Sequence, residues 1–317
     1  MDTTFFLKLP KVSIDELRSK WLEDHKIKLF VKREDQIDAE VSGNKFRKLK
    51  YNFLKAEESH ASKIISFGGA YSNHIAALAK AGKLCKISTL GIIRGEELEK
   101  NLGKTFSKNS TLRKASQNGM QLRFINREQY RLKDSKDFIR KLEDEFPGAY
   151  IIPEGGTNKL AIKGCQEIIQ NLNVETDVIC CPIGTGGTIS GLINGSGSHQ
   201  EVLGFASLKG NFLTSEIEKW VDKTNWELNN SYHFEGYGKV NQDLIEFMND
   251  FYKQYQILLD PVYTAKMFYG IFDLIRLGYF PKNTRILAIH TGGLQGISAM
   301  NQKLANKNLP LISTQLP

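Results

Sequence analysis

In EVSGNKFRKLK, residues 40–50, Lys45 follows Ser42, Gly43 and Asn44 where the chain leaves a turn and enters a helix. A lysine there has two readings. With Arg47, Lys48 and Lys50 it is one of four basic residues in eleven positions, which reads as a solvated helix face whose aliphatic stems lie along the surface. The same amine is also a nucleophile that condenses with carbonyl compounds and passes protons. Residue type alone favours the solvated charge.

A second stretch is PIGTGGTISG, residues 182–191, which sets Gly184, Thr185, Gly186, Gly187 and Thr188 between an apolar run and a helical pattern. Glycines let backbone N–H groups approach an anion, threonine hydroxyls add donors, and a helix N-terminus adds favourable potential. This is a phosphate cradle. It lacks the GxxxxGK[ST] form of a nucleoside-triphosphate loop and the GxGxxG spacing of a dinucleotide fold; a ligand-free turn is the alternative. In FGGAYSNHIAALA, Ser72 and Asn73 precede another helix. Either one can cap it, and a cap is compatible with a ligand contact. His74 reads as structural, and no Ser-His-Asp set follows from residue order.

These residues need a scaffold of strands, turns and helices. KIISFGG and DVICCPIGTGG each run from apolar residues into glycine and then into helical periodicity, and KLFVK, ISTLGII, MQLRFI, AYIIP, VLGFAS and RILAIH are further strand candidates. Runs this continuous belong to strands covered on both faces, so the expected class is α/β with mostly parallel sheets. The expected domains are a discontinuous larger one, 1–48 with 157–317, and a smaller one, 49–156, carrying the Ser72–Asn73 turn. The closing ANKNLPLISTQLP is read only as a terminal segment.

At 317 residues, with 41% hydrophobic and 25% charged, the chain has material for an extensive core and two lobes. The formal charge of +8 raises nucleic acid as a partner, but lysine and arginine are interleaved with acidic residues and form no basic tract. Cys85, Cys165, Cys180 and Cys181 show no CxxC spacing and no companion histidines, so no metal is expected. The opening MDTTFFLKLPKVS has no leader-like apolar run, and no stretch reaches membrane-spanning length. The expectation is a cytoplasmic protein without membrane or nucleic-acid contacts.

Taken in order, SGNKFRKLK, GGAYSNH, IPEGGTN, IGTGGT, DPVYTAKM and HTGG resemble the pyridoxal-phosphate-dependent family that contains 1-aminocyclopropane-1-carboxylate deaminase and D-cysteine desulfhydrase. The resemblance runs from about Lys28 to Gly296. It implies a two-domain, tryptophan synthase beta-subunit-like fold, pyridoxal 5'-phosphate as cofactor, a small amino acid as substrate, and a homodimer. It also makes Lys45 the lysine of the internal Schiff base, Asn73 the partner of the cofactor's phenolic oxygen, and Ser72 a contact to the substrate carboxylate or an aid to proton transfer. Gly184, Thr185, Gly186, Gly187 and Thr188 become the phosphate cradle. Tyr237 becomes a substrate-positioning residue and Tyr263 the acid–base candidate, where the bland reading makes both aromatic walls.

Within the family, the deaminase carries a glutamate where this chain has Thr264, and Thr291 in HTGG resembles the desulfhydrase arrangement at the ring nitrogen. A hydroxyl favours ring protonation less than a carboxylate does, which makes the ring a weaker electron sink. The resemblance therefore implies α,β-elimination of an activated substituent, as from D-cysteine, with deamination of 1-aminocyclopropane-1-carboxylate as the alternative. A non-catalytic ligand binder on the same fold is a third reading, and it needs no Schiff-base lysine. Tyr71 and Ala265 depart from the family pattern and are read as residues that narrow the cleft, Tyr71 alternatively pointing into the fold.

Overall fold

The computed structural model describes residues 1–8, 12–210 and 212–315; 316 and 317, the end of the terminal segment, lie outside them. In chain order the strands are β1 (Ile14–Leu17), β2 (Lys28–Lys32), β3 (Lys63–Gly69), β4 (Ser88–Arg94), β5 (Gln121–Ile125), β6 (Ala149–Ile152), β7 (Val178–Ile183), β8 (Glu201–Ala206), β9 (Trp226–Asn229) and β10 (Arg285–Ile289). The helices that bear on function are α1 (Asn44–Glu58), α2 (Asn73–Leu84), α3 (Gly187–Gly195), α4 (Gln242–Tyr255) and α5 (Thr264–Arg276).

The chain divides into two compact units. One holds Asp38–Val41 and Lys45–Gly164 together with the first eight residues; the other holds 12–37, Ser42–Asn44 and 165–315. In the first, four parallel strands run in the order β5-β4-β3-β6. In the second, six strands run β1-β2-β10-β7-β8-β9, all parallel except β1 against β2. Parallel strands need crossover connections, whose helices cover both faces, which is why the sequence shows apolar runs instead of alternation. Every residue of β7 is buried, Cys180 and Cys181 included. Each fully buried aliphatic side chain in these runs contributes about 1.5–3 kcal/mol. This is the α/β architecture expected from the sequence.

Two strands escaped the pattern. β1, IDEL, and β9, WELN, lie at the two edges of the six-stranded sheet and are four residues each. Only Leu17 of β1 and no residue of β9 is buried, so neither strand carries the apolar run that announces the covered ones.

α1 begins where Gly43, at φ +60, turns the chain. Its Phe46, Leu49, Phe53 and Ala56 are buried at helical spacing, and Phe5 and Phe6 pack on Phe46 and Phe53 with ring centroids 5.0–5.4 Å apart. The solvated-face reading fails for its basic residues. Arg47, Lys48 and Lys50 are 5%, 2% and 7% exposed. Among the described residues, no helix is long and apolar enough to cross a membrane, and no group of three or more His, Cys, Asp or Glu is placed to hold a metal ion.

Candidate active site

In the second unit, β7 ends at Ile183 and the chain turns through Gly184, Thr185 and Gly186 into α3. Gly186 caps the helix at φ +81 and, being glycine, places no side chain of its own over the helix end. The first-turn amides have no intrahelical acceptors, and the helix end carries positive potential. Gly184 is a position of close approach: a Cβ there would lie 3.1 Å from the Tyr263 ring. Thr185 is exposed, whereas Gly187 and Thr188 are buried.

Thr188 connects this loop to the residue before Lys45. Its Oγ1 stands 2.7 Å from Asn44 Nδ2, which donates to it, and Asn44 N donates to Thr291 O at 3.3 Å. Asn44 thus ties the glycine loop to the end of β10, where Thr291 is 8% exposed, and hands the chain directly to Lys45. Sequence reasoning missed Asn44; the available signal was its adjacency to Lys45 in SGNK.

The rings of Tyr237 and Tyr263 meet edge-on, centroids 6.0 Å apart at 67°. Tyr263 is set from below. Asp260 Oδ1 accepts the N–H groups of Val262 and Tyr263 at 2.7 and 2.8 Å, an Asx turn that opens α5. Thr264 Oγ1 accepts Asp260 N at 2.7 Å, and Thr264 is fully buried, so its hydroxyl serves this turn. Burial pushes the Asp260 carboxyl up to about 7, against the pull of three backbone N–H groups and the charge of Lys266. Its Oδ2 has no hydrogen-bond partner among the described residues, which suits the neutral acid better than a buried anion. Ala265 is fully buried within the hydrophobic core of this unit; the expectation that it narrows a cleft is corrected by that packing.

In the first unit, Lys45 is half-buried at the start of α1. One turn on, Lys48 Nζ donates to Gly155 O at 3.0 Å and Thr157 Oγ1 at 3.1 Å, fastening α1 to the EGGTN stretch. Ser72 caps α2, its Oγ accepting Ile75 N at 3.3 Å. That bond takes a lone pair and leaves the hydroxyl able to donate. Asn73 is the first residue of α2 and half-buried. His74 is buried with Nε2 2.8 Å from Ser66 Oγ; because Ser66 Oγ donates to Ile152 O at 2.8 Å, its remaining role toward His74 is acceptor. Burial first, then the positive charges of Lys45 and Lys48, hold His74 well below the usual imidazole range. It is neutral, as its structural reading requires. Tyr71 is 43% exposed, which overturns the alternative that it points into the fold.

A model of the pyridoxal-phosphate dependent enzymes matches residues 7–292. The chain belongs to this family. It is 30% identical over 298 residues to the bifunctional D-cysteine desulfhydrase/1-aminocyclopropane-1-carboxylate deaminase, mitochondrial, of Arabidopsis thaliana, an alignment covering 85% of this chain and 73% of that protein. It is 28% identical over 315 residues to the 1-aminocyclopropane-1-carboxylate deaminase of Cyberlindnera saturnus, covering 89% of this chain and 91% of that one. The crystal structure of a 1-aminocyclopropane-1-carboxylate deaminase homologue superposes with a TM-score of 0.80 at 27% identity, covering 96% of this chain and 98% of that chain.

A pyridoxal-phosphate enzyme must hold a phosphate, and the residues present fit one: a helix end capped by a glycine, which brings no side chain of its own into the space before the first-turn amides, beside a Gly184 that leaves room a Cβ would fill.

Proposed function

We propose that this pyridoxal-phosphate enzyme eliminates the β-substituent of a small D-amino acid, converting D-cysteine and one water to pyruvate, ammonia and hydrogen sulfide. The observation that carries the reading is Thr264. Its neutral hydroxyl stands where the resemblance puts the deaminase glutamate, and it is buried and bonded to the Asp260 backbone, so no carboxylate acts at that position. Pyridoxal phosphate, when bound, supplies an electrophilic carbon for the substrate amine and an electron sink for the pair left at the α-carbon. Lys45 holds the cofactor covalently and takes the α-proton. Asn73 donates to the phenolic oxygen, and Ser72 donates its hydroxyl hydrogen to the substrate carboxylate. The amides of Gly186, Gly187 and Thr188, with the Thr185 hydroxyl and the Gly184 turn, hold the phosphate. Thr291 offers a hydroxyl to the ring nitrogen. Tyr263 moves protons at the substrate, and Tyr237 orients it.

The test is to incubate the cofactor-loaded protein separately with D-cysteine, L-cysteine, β-chloro-D-alanine and 1-aminocyclopropane-1-carboxylate, measuring keto acid, ammonia and sulfide. Turnover of the D-amino acids well above the cyclopropane substrate is expected, and Lys45→Ala lowers it by about 10²–10⁴-fold or more while abolishing borohydride-stable labelling of the chain. A second reading has support in the Cyberlindnera saturnus relative: deamination of 1-aminocyclopropane-1-carboxylate. Efficient 2-oxobutanoate formation without D-cysteine turnover would replace the first reading with the second.

A further inference from the structure

The loop between β9 and α4 carries Tyr237, which is 50% exposed, and it reverses on a costly backbone. Phe234 and Glu235 both sit in the left-handed region, at φ 50 and 65, which L-residues adopt reluctantly. The reversal closes through Gly236 N to His233 O at 3.0 Å. Tyr232 and Phe234 fasten its earlier part to α5: Tyr232 donates to Asp273 Oδ2 at 2.8 Å and its ring lies 6.3 Å from that of Tyr269, and Phe234 meets Tyr269 edge-on at 5.1 Å. None of these contacts reaches the peptide that carries Tyr237.

Lys266 does. It lies on α5 three residues after Tyr263, is 1% exposed, and donates from Nζ to His233 O and Gly236 O, each at 2.8 Å. The Gly236 carbonyl belongs to the peptide that joins Gly236 to Tyr237. One ammonium therefore spans both ends of the reversal and anchors it to the turn of helix that presents Tyr263. We propose that Lys266 is a positioning residue that sets Tyr237 against Tyr263, and so acts on the substrate through Tyr237. This rests on the proposal that the two tyrosines face the substrate. Burial lowers Lys266 to about 8, partly offset by Asp260; a buried ammonium bound to two main-chain carbonyls is an expensive way to fill a core that an apolar side chain could fill.

The test compares the cofactor-loaded wild type with Lys266→Met, Lys266→Arg and Tyr237→Phe, and with the Lys266→Met/Tyr237→Phe double variant. Amide exchange across 233–238 should quicken at least about tenfold in Lys266→Met, stay near wild type in Lys266→Arg, and leave the β7–β8 core unchanged. With D-cysteine, Lys266→Met should raise KM more than it lowers kcat, Lys266→Arg should recover most of the loss, and Lys266→Met should add little once Tyr237 is already Phe. Unchanged exchange across 233–238, or fully additive effects of the two substitutions, would overturn the assignment. If Lys266→Met does not fold, Lys266→Gln, which keeps N–H donors without the charge, carries the same expectations at smaller size. Exchange is read without substrate, so it decides whether Lys266 holds Tyr237 even if the wild type turns over a different amino acid.

Discussion

Asp260 shows how one residue can serve a site and burden the fold. Its acceptor oxygen shapes the turn under Tyr263, yet burial raises its carboxyl from the usual 3.8 to about 7. The folded protein thus keeps a proton that the unfolded chain has released between those values, so stability falls as pH rises through that window. Asp260→Asn retains the acceptor and does not titrate. Relative to wild type, it should gain about 2–4 kcal/mol on going from about pH 4 to about pH 7.5, read from urea midpoints at the two pH values. Parallel midpoints for the two proteins would mean that Asp260 is ionised in the folded state throughout.

At the scale of elements, the start of α1 depends on backbone passing backbone. Gly43 holds φ +60, and a Cβ there would overlap the Thr291 carbonyl oxygen and lie 2.9 Å from Gly292 N. Main chain lies on the crowded side, so nothing yields by a rotamer change. Gly43→Ala therefore combines left-handed strain of about 1–2 kcal/mol with a forced separation of the 42–44 turn from the end of β10. A total loss above about 2 kcal/mol is expected, with weakened cofactor retention because Asn44 loses its register on Thr188 and Thr291. A loss within about 0.5 kcal/mol, the range of ordinary surface changes, would show that the turn relaxes freely.

For the whole molecule, each unit has its own sheet of mostly parallel strands and its own buried core, and the resemblance implies that two such chains pair. We propose a two-fold dimer, the commonest closed assembly of soluble proteins. Sedimentation should give about twice the monomer mass over a broad concentration range. A monomer throughout that range would remove the dimer and leave the cofactor assignment standing.

The sequence by itself determined the strands with two covered faces, because burial on both sides writes a continuous apolar run into four to seven neighbouring residues. It also determined the glycine turns and, through the order of six short motifs, the family and its cofactor. These are local signals, carried by residues close together in the chain. What only the tertiary structure decided depends on partners far apart: Lys48 bonds residues more than a hundred positions away, and that contact turns a helix face read as solvated into a buried one. Thr264 and Asp260 exchange a bond that makes the threonine part of a turn, Ala265 enters the core, and Lys266 reaches back some thirty residues to the Tyr237 loop. The letters D and K flank Tyr263 in DPVYTAK, but a charged letter looks the same whether water or a carbonyl solvates it, and only the folded chain supplies the carbonyl.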